Sequence, residues 1–459
     1  MRIRDGLQAA VIGLGAAGLS TVRYLVARGA RVRVSDQRGL DQIEPATVAW
    51  LREHGVSLEH GGHTAAFLAG AEAVIPGPGV PLNLPVLQAA REQGLPIWGE
   101  LALAAGQYRV PVIAITGSNG KTTVTSLIGH LLRAADKKPF VGGNIGTPLL
   151  DYFAEPDRYD CVVLELSSFQ LDLAGSFRPD VGLLLNLSPD HLDRHGSFDA
   201  YAGAKMKLFA HQVAGDCAIL GTDDPLADAT PTRPEVRRHT FGRGEACSAR
   251  IVAGRVELHV GMDKAEGRAQ FDLGPTRLHS SVNQLNAAAA VLAVAQLGCA
   301  PEAIARGLLG FEPPPHRMAE VATIDGVRFI DDSKATNIGA LEAALGGCEA
   351  PVVLIAGGRD KGSDYTLLRK VVGRRVKHLV LLGEAAGIMR AALETVVPTE
   401  TVGSMAEAVR RAMAAAVSGD LVLLAPGCAS FDMFSGYAER GRVFAEQVLL
   451  LGRERTTNG

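Results

Sequence analysis

The chain has 459 residues, which is too long for one compact core, so we expect about three domains. Its 46 basic and 49 acidic residues give a formal net charge of −3, so charge alone gives no reason to expect nucleic acid or an anionic membrane as a partner. The six cysteines form no CxxC pair, and no apolar run reaches the roughly 18–20 residues of a membrane span. We therefore expect a cytoplasmic protein without disulfides or cysteine-bound metal.

Short β-branched runs alternate with Ala- and Leu-rich helical stretches, which is typical of parallel sheets in α/β domains. The predicted strands fall into three groups: 9–12, 31–35, 73–75 and 95–98; then 110–116, 161–166, 181–187 and 217–220; then 328–331, 352–356, 378–382 and 421–425. Weak alternation at about 233–277 predicts a small antiparallel excursion. A Pro and Gly cluster near 95–99 and a triple proline at 313–315 predict domains at 1–99, 100–313 and 314–459.

A first glycine loop follows the first predicted strand. Gly13, Gly15 and Gly18 form the pattern GxGxxG before a helical run, and Asp36 closes the next strand. This is a dinucleotide fingerprint, because its glycines let a pyrophosphate approach a helix N-terminus. The pattern alone leaves NAD, FAD and a ligand-free turn open. However, only about 100 residues precede the next glycine loop, which is enough for one mononucleotide-binding half. A UDP-linked substrate fits that space better.

A second glycine loop joins the strand pattern at 110–116 to a helical run at 124–133. Its residues are Gly117, Ser118, Asn119, Gly120, Lys121, Thr122 and Thr123. In such loops the backbone amides and the helix dipole face phosphates, the lysine bridges β and γ oxygens, and the hydroxyl holds magnesium. Ile115 stands where the general pattern has its first glycine, so the loop is a shortened form. A lysine at a helix start opposes the dipole, which argues against a plain helix cap. We predict an ATP site here.

Polar residues follow several other predicted strands. Glu165 ends the strand at 161–166, where a carboxylate suits magnesium. His191 follows the strand at 181–187, although a lone histidine there is more often a hydrogen-bonded structural residue than a ligand. Spacing alone does not select Lys205. In the last third of the chain, three polar or glycine-containing loops follow strands, at 331–337, 357–362 and 426–431. Because such ends share one sheet edge, we expect these loops to form a rim that faces the nucleotide.

The motifs occur in one order over essentially the whole chain. They are the loop at 117–123, GGNIG at 142–146, ELSSFQL at 165–171, Asp190 to Asp193, Lys205, His316 and Arg317, DSKATN at 332–337 and PGCASFD at 426–432. Together they resemble the Mur ligases of peptidoglycan synthesis. ELSSFQL, DSKATN and CASFD, with the following Glu439, Arg440 and Gly441, are similar to the branch of that family that adds D-glutamate.

This resemblance implies a Rossmann-like N-terminal domain for a UDP-linked substrate, a central P-loop-type ATPase domain with a mostly parallel sheet, and a Rossmann-like C-terminal domain for the amino acid. It implies that ATP phosphorylates the carboxylate of UDP-N-acetylmuramoyl-L-alanine. The amine of D-glutamate then attacks the acyl phosphate, and the products are an amide, ADP and phosphate. The implied enzyme is a cytoplasmic monomer with no nucleic-acid or membrane partner.

The resemblance also implies roles for individual residues. The implied catalytic residues are Lys121, Glu165, His191, Lys205 and Asn144. Two Mg²⁺ ions are implied, one served by Thr122 and Glu165 and the other by His191 and a carbamylated Lys205, whose carbamate would be an anionic oxygen ligand. Outside the loop, the implied ATP contacts are Asn283, Arg317 and Asp332. The implied substrate contacts are Gly15, Asp36 and Arg38 at the UDP end, and Lys334, Thr336, Lys361, Ser430 and Phe431 around the phosphate and the glutamate.

Three positions depart from the family pattern. The usual histidine before the last helix of the central domain is missing from Ser280-Ser281-Val282-Asn283, and Gln37 and Gly77 replace a commoner threonine and serine at the UDP end. Three other functions stay open. One is another amino-acid ligase such as a folylpolyglutamate synthase, against which the first glycine-loop domain argues. The others are a nicotinamide-dependent oxidoreductase and a nucleotide-gated binding protein without turnover.

Overall fold

The computed structural model describes residues 3–259, 268–348 and 350–457, whose strands form sheets of four, nine and six strands. These residues divide into two compact units. The first comprises Met1–Asn186, Ala202–Leu273 and Asn286–Phe311, and the second comprises Leu187–Tyr201, Gly274–Leu285 and Glu312–Gly459. The first two sheets lie in the first unit and the third sheet in the second. The α/β class with three sheets confirms the predicted fold, whereas the domain boundaries at 1–99, 100–313 and 314–459 stay a prediction.

The four-stranded sheet is parallel throughout, in the order β3-β2-β1-β4. Its strands are β1 (Gln8–Ile12), β2 (Arg31–Asp36), β3 (Ser57–His60) and β4 (Ala73–Pro76), and its helices are α1 (Ala16–Val26), α2 (Pro45–Glu53) and α3 (Pro85–Glu92). The predicted strand at 95–98 was wrong, because Ile97 forms only an isolated bridge with Val74. Pro96 has no N–H with which to extend a ladder. The sequence prediction missed β3, which buries no residue completely.

The nine-stranded sheet has the order β13-β12-β11-β10-β9-β8-β5-β7-β6. Its strands are β5 (Val112–Thr116), β6 (Pro139–Gly143), β7 (Cys161–Glu165), β8 (Val181–Leu184), β9 (Cys217–Gly221), β10 (Arg237–Gly242), β11 (Ala249–Val252), β12 (Arg255–Leu258) and β13 (Ala269–Asp272). The helices of this stretch are α4 (Glu100–Ala104), α5 (Lys121–Ala134), α6 (Ser168–Asp172), α7 (Leu192–His195), α8 (Phe198–Met206), α9 (Pro225–Asp228), α10 (Ser281–Ala295) and α11 (Pro301–Leu309).

Pairing in this sheet is parallel from β6 to β11 and antiparallel from β11 to β13. The antiparallel part confirms the predicted excursion, of which residues 260–267 lie outside the described part of the chain. Every residue of β5, β7, β8 and β9 is buried. These strands read as continuous apolar runs because helices cover both faces of such a sheet.

The six-stranded sheet has the order β14-β15-β19-β16-β17-β18, with one antiparallel pair at the β14 edge. Its strands are β14 (Ala319–Ile324), β15 (Val327–Asp331), β16 (Val352–Gly357), β17 (Val376–Leu382), β18 (Thr399–Thr401) and β19 (Leu421–Leu424). Its helices are α12 (Ile338–Gly346), α13 (Arg369–Arg375), α14 (Ala386–Leu393), α15 (Met405–Ala415) and α16 (Tyr437–Thr457). The partly exposed edge strands β14 and β18 were missed, whereas the four buried strands lie where the sequence predicts them.

Short 3-10 helices complete the description: Leu40–Gln42, Ala65–Leu68, Leu149–Ala154, Pro156–Arg158, Lys207–Phe209 and Tyr365–Leu368. Among the described residues, no helix is both long enough and apolar enough to cross a membrane. All six cysteines are buried free thiols. The expectation of no disulfide therefore agrees with the structure.

Candidate active site

The second glycine loop connects β5 to α5 at the carboxyl edge of the nine-stranded sheet. Gly120 is the N-cap of α5 and has a left-handed backbone with φ of +85°. This conformation suits glycine, and it lets the loop turn directly into the helix. The first backbone amides of α5 therefore lie directly behind the loop, where an anion benefits from them.

Asn186, just after β8, holds this loop in place. Its carbonyl oxygen accepts a hydrogen bond from Ser118 N at 3.0 Å. Its side chain accepts from Asn119 N at 2.8 Å and donates to Asn119 O at 3.2 Å. The sequence prediction missed Asn186. The available signal was a polar residue at the carboxyl end of a strand, and that strand is the neighbour of β5 in the sheet.

Two lysine side chains converge on the loop. Lys121 Nζ donates to Gly117 O at 2.8 Å and to Ser118 O at 3.0 Å. Lys205 Nζ, from α8, donates to the same Gly117 oxygen at 2.8 Å, and Lys205 is only 1% exposed. The structure thus brings two of the predicted catalytic residues to one carbonyl group. This concentration of positive charge suits a polyphosphate.

Glu165 is a buried carboxylate at the end of β7, with 2% exposure. Asn144 Nδ2 donates to Glu165 Oε1 at 2.9 Å, and Asn144 N donates to Glu165 O at 2.8 Å. Gly143 permits this close approach, because a Cβ there would lie 2.3 Å from Glu165 O. Glu165 Oε2 is buried and has no hydrogen-bond partner among the described residues. A buried carboxylate oxygen without a partner is costly, and a cation would satisfy it.

A cavity of about 570 Å³ begins at the first glycine loop. It is lined by residues 13–18, Asp36 and Arg38, and also by Asn144, residues 145–146, Pro148 and Gln170. The predicted UDP-end residues therefore share one cavity with Asn144, which contacts Glu165. The cavity thus joins the first glycine loop to Asn144, the hydrogen-bond partner of Glu165.

Asp36 organises the part of this cavity at the first glycine loop without facing it freely. Its carboxylate accepts from Leu14 N at 2.6 Å and from Arg38 Nε at 2.8 Å. Burial works to raise the pKa of Asp36, but the hydrogen bonds from Arg38 and Leu14 outweigh it and lower the pKa below its ordinary value. Asp36 therefore stays ionised and fixes both the loop and the Arg38 guanidinium.

In the second unit, Asp190 joins two of the predicted loops. Its carboxylate accepts from Asn337 Nδ2 at 3.0 Å and from Lys361 Nζ at 3.3 Å. His191 has a left-handed backbone with φ of +54°, and its Nε2 lies 3.5 Å from Asp190 Oδ2. The structure thus brings His191 and Lys361 together around Asp190. The side chain of Asp193 lies outside what the structure describes.

A second cavity, of about 650 Å³, lies beside this cluster and is lined by His191, Leu192, Arg359, Asp360, Lys361, Gly362, Ala429 and Phe431. Asp360 accepts from Tyr365 Oη at 2.8 Å. Burial works to raise the pKa of Asp360, but hydrogen bonds from Tyr365 and nearby backbone amides lower it overall. The cationic side chains of Arg359 and Lys361 suit an anionic ligand, and Phe431 is 66% exposed.

The remaining predicted residues of the second unit lie on three loops and in the first turn of α10. Lys334 Nζ lies 3.9 Å from the centre of the Tyr437 ring, and Thr336 is partly exposed on the same loop. Met318 N donates to Asp332 Oδ1 at 3.2 Å, next to Arg317, and burial raises the pKa of Asp332 to about 7. Asn283 lies in the first turn of α10, and Ser430 is buried after β19.

Arg440 was not among the predicted site residues, although it belongs to the closing motif. It is 2% exposed, and its guanidinium donates to the carbonyl oxygens of Ser333, Cys428 and Ala429 at 2.8 to 3.2 Å. Its Nε donates to Ser333 Oγ at 3.0 Å. Burial lowers the pKa of Arg440 to about 10, so it remains a cation at neutral pH. Arg440 therefore connects the loop after β15 with the loop after β19.

Three family descriptions match the chain in order. They are "Mur ligase MurD-like, N-terminal domain" at residues 7–99, "Mur ligase middle domain" at 115–294 and "Mur ligase, glutamate ligase domain" at 316–428. The chain belongs to the Mur ligase family. This confirms the resemblance that the motifs carry. The departures at Gln37 and Gly77, and Val282 in place of the usual histidine, occur within a member of the family.

Curated relatives within the Mur ligase family align over nearly their whole length. A protein of Desulfotalea psychrophila named UDP-N-acetylmuramoylalanine–D-glutamate ligase is 47% identical over 442 residues, which cover 96% of each chain. A protein of Syntrophotalea carbinolica with the same name is 40% identical over 447 residues, covering 97% of this chain and 98% of the relative.

Solved Mur ligase structures share the fold at low sequence identity. A MurF ligase of Thermotoga maritima in complex with ADP has a TM-score of 0.59 at 17% identity, covering 99% of this chain and 96% of that chain. The UDP-N-acetylmuramate–alanine ligase MurC of Thermotoga maritima has a TM-score of 0.57 at 19% identity, covering 96% of this chain and 99% of that chain. At this low sequence identity, the similarity to these structures shows a shared fold.

Proposed function

We propose that this protein is an ATP-dependent ligase that joins D-glutamate to the alanyl carboxylate of UDP-N-acetylmuramoyl-L-alanine. The observation that carries the proposal is the cavity that extends from the first glycine loop to Asn144, which hydrogen-bonds the buried Glu165. Such a cavity suits a long substrate that is anchored at one end and reacts at the other. The names of the two curated relatives support the same reaction.

In this proposal, residues 1–99 bind the UDP end. Gly15 and its neighbouring loop amides face the pyrophosphate at the start of α1, and the Arg38 guanidinium supplies positive charge. Asp36 acts by holding Arg38 and Leu14 N in place. The four-stranded sheet supports a single nucleotide diphosphate, because a dinucleotide fold needs a second half of similar size.

Residues 100–313 form the proposed ATP domain. Residues 117–123 cradle the phosphates. Asn283 of the same domain contacts the rest of the nucleotide, as do Arg317 and Asp332 of residues 314–459. A carboxylate oxygen of the alanyl group attacks the γ-phosphorus, the bond from that phosphorus to the β-phosphate oxygen breaks, and ADP leaves. The Lys121 cation offsets the repulsion between the two anions.

Magnesium fits the residues that are present. Glu165 Oε2 is a buried carboxylate oxygen without a hydrogen-bond partner among the described residues, and Mg²⁺ prefers such hard oxygen ligands. No group of three or more His, Cys, Asp or Glu side chains in the described chain could hold a metal, so phosphates and water would complete the shell. We propose Thr122 and Glu165 for one ion and His191 and Lys205 for a second. Bound Mg²⁺ would neutralise charge on the transferred phosphoryl group.

Carbamylation of Lys205 belongs to the same proposal. Lys205 and Lys121 donate to the same Gly117 oxygen, so their positive charges repel each other when both are ammonium groups. A carbamate on Lys205 would replace this repulsion with attraction. It would also provide an anionic oxygen ligand beside the phosphate loop.

Residues 314–459 form the proposed glutamate domain. Lys334, Thr336, Lys361, Ser430 and Phe431 surround the phosphate and the amino acid. The glutamate amine attacks the acyl carbon, a tetrahedral intermediate forms, and its bond to the phosphate oxygen breaks to release phosphate. The amine loses a proton, which leaves an amide. Lys361 would offset the negative charge of a dicarboxylic amino acid.

We further propose that the enzyme works in the cytoplasm as a monomer. Its six buried thiols without disulfides are consistent with a reducing compartment. Neither nucleic acid nor membrane is required for the proposed reaction.

A coupled phosphate-release assay tests the proposed function. Purified protein is supplied with ATP, Mg²⁺ and UDP-N-acetylmuramoyl-L-alanine, with D-glutamate, L-glutamate or other amino acids added in separate reactions. We expect release that requires both the UDP-linked substrate and D-glutamate. Release with a folate substrate and L-glutamate instead would favour a folylpolyglutamate synthase, and binding of NADH without phosphate release would favour an oxidoreductase.

A further inference from the structure

Glu100 is a buried carboxyl group that has no part in the reaction described so far. It is the first residue of α4 and is 4% exposed. Its Oε1 accepts a hydrogen bond from Gln170 Nε2 at 2.6 Å. Its Oε2 is buried and has no hydrogen-bond partner among the described residues. A buried carboxyl group with one unsatisfied oxygen destabilises the fold when it is charged. A role for Glu100 would explain why such a group is present.

Gln170 connects Glu100 to the substrate cavity. Gln170 lines that cavity. Its Oε1 accepts from Ser167 N at 2.9 Å and from Ser167 Oγ at 3.0 Å, while Gln170 N donates to Ser167 Oγ at 3.2 Å. The amide group is therefore fixed at both ends, with its oxygen on Ser167 and its nitrogen on Glu100. Removing the Glu100 acceptor would leave the orientation of this amide to be set by Ser167 alone.

The backbone around Glu100 approaches α6 closely. A Cβ on Gly99 would lie 2.7 Å from Leu173 O, at the end of α6. Glycine at 99 thus lets the start of α4 pack directly against the helix that carries Gln170. Ser167 and Gln170 also follow Glu165 by two and five residues. A shift of α4 would therefore be transmitted to the turn that follows the Glu165 carboxylate.

The groups around Glu100 oppose a negative charge there. Burial is the main cause that raises the pKa of Glu100 to about 7, the Gln170 hydrogen bond lowers it, and Asp151 on the 3-10 helix Leu149–Ala154 raises it further. Tyr108 is buried, and its pKa is raised by burial and then by Glu100. The Asp151 carboxylate accepts a hydrogen bond from Ser20 Oγ. The acidic residue of α6, Asp172, has its Oδ1 3.2 Å from Lys207 Nζ.

We propose that Glu100 is a positioning residue whose buried carboxyl group holds the Gln170 amide, and with it the 167–170 turn, in the wall of the substrate cavity. This inference rests on the proposed function, because it assigns the cavity to the UDP-linked substrate. Ionisation of Glu100 would strengthen the hydrogen bond from Gln170 but would leave a charged Oε2 buried without a partner. Hydration of Oε2 would then move the start of α4 and, with it, the Gln170 amide. Substrate affinity would then fall as the pH rises through neutrality.

The test compares the wild type with Glu100→Gln, Glu100→Ala and the exposed control Glu92→Gln. Glutamine mimics the neutral acid, because its oxygen can accept from Gln170 and it carries no charge. We expect Glu100→Gln to keep the KM for the UDP-linked substrate within about twofold of the wild type at pH 6 and to remove the rise of KM at alkaline pH. Glu100→Ala should raise this KM about tenfold, because one hydrogen bond to the buried Gln170 amide is lost. The KM for ATP should stay unchanged.

Two results would overturn the proposal. One is a Glu100→Gln enzyme that is impaired as strongly as Glu100→Ala at every pH, which would mean that the charge is needed. The other is a Glu100→Ala enzyme whose KM values for all three substrates change by the same factor, or do not change. Thermal melting of each variant at pH 6 identifies one that merely fails to fold, and Glu100→Gln then decides the question.

An infrared experiment without substrate distinguishes failure of this proposal from failure of the proposed function. Infrared difference spectra of the wild type between acidic and alkaline pH should contain the carbonyl stretch of a neutral carboxylic acid that is absent from Glu100→Gln and present in Glu92→Gln. If that band is missing, the proposal for Glu100 fails. If the band is present but the wild type releases no phosphate, the proposed function fails instead.

Discussion

The two glycine loops have the same architecture of strand, loop and helix, but they differ in what surrounds them. Around the first loop, the Asp36 carboxylate binds Leu14 N and Arg38 and lowers the local positive charge. Around the second loop, Lys121 and Lys205 both point at the Gly117 carbonyl, and Asn186 holds the loop through neutral amide contacts. The first site therefore carries one paired cation, and the second carries two lysines.

This difference teaches that a glycine loop specifies phosphate binding but not the phosphate compound. In a dinucleotide site the acid at the position of Asp36 binds the ribose, whereas here its oxygens already accept backbone and guanidinium N–H groups. The sheet beside it has only four strands. A mononucleotide diphosphate fits these surroundings, while the two lysines suit the triphosphate of ATP. Three experiments test this assignment, and a fourth tests the buried Glu100, which lies between the two loops in the chain.

The largest effect is expected from Lys121→Ala. Loss of this cation removes charge stabilisation during phosphoryl transfer, and we expect phosphate release to fall about 1,000-fold. Calorimetric affinity for the UDP-linked substrate should change less than twofold, because that ligand depends on the other loop. The exposed Lys138→Ala is the matched control. A variant that keeps most of its activity would refute the assignment of the second loop to ATP.

Lys205→Ala should reduce turnover about 100-fold, because the anionic ligand proposed beside the phosphate loop is lost. Bicarbonate with a small carboxylic acid should restore part of this activity, since a free carboxylate can occupy the space of the carbamate. Lys207→Ala, two residues away and paired with Asp172, should be insensitive to the added acid. Full activity of Lys205→Ala would contradict the carbamate.

At the first loop, Arg38→Ala should weaken binding of the UDP-linked substrate by about tenfold to 100-fold, the range expected for a charge-assisted hydrogen bond. The KM for ATP should stay the same. Arg52→Ala, on the exposed face of α2, provides the control. If Arg38→Ala weakened ATP binding instead, the separation between the two loops would be lost.

The smallest effect concerns Glu100, which lies between the two loops in the chain. Its pKa is about 7 in the folded protein and near 4.5 when unfolded, so the folded state holds the proton more tightly. Stability contributed by the neutral form is complete below about pH 4.5 and is lost as the pH rises through about 7, by at most about 3 kcal/mol. Glu100→Gln should therefore melt at a higher temperature than the wild type at pH 8 and at the same temperature near pH 4.5. Equal melting temperatures at pH 8 would contradict the buried acid.

Sequence predicted the fold best where burial is complete. Strands such as β7 and β16 appear as unbroken apolar runs, and all their residues are buried. Edge strands such as β3 and β18 have no such signal, since much of their surface faces solvent. Pro96 shows the opposite error, in which an apolar segment cannot pair because a donor is missing.

For the candidate site, sequence identified residues that carry unusual chemistry at strand ends. Lys121 stands out because the helix dipole disfavours a cation at a helix start. Glu165 stands out because it is an acid at the carboxyl end of an apolar strand, where ligands bind in such sheets. Asn186, Gln170 and Glu100 act through contacts between segments that are distant in the chain, as in the Glu100–Gln170 pair. Spacing along the sequence carries little information about such contacts.

Arg440 has a consequence for how the second unit is made during synthesis. Its hydrogen bonds reach back 107 residues to Ser333 and 11 to 12 residues to Cys428 and Ala429. Domains fold as units while the ribosome adds residues from the N-terminus. The loops after β15 and β19 are synthesised before α16, which carries Arg440, so neither loop gains this anchor until that helix has left the ribosome. The proposed glutamate site is therefore complete only after α16 has been synthesised.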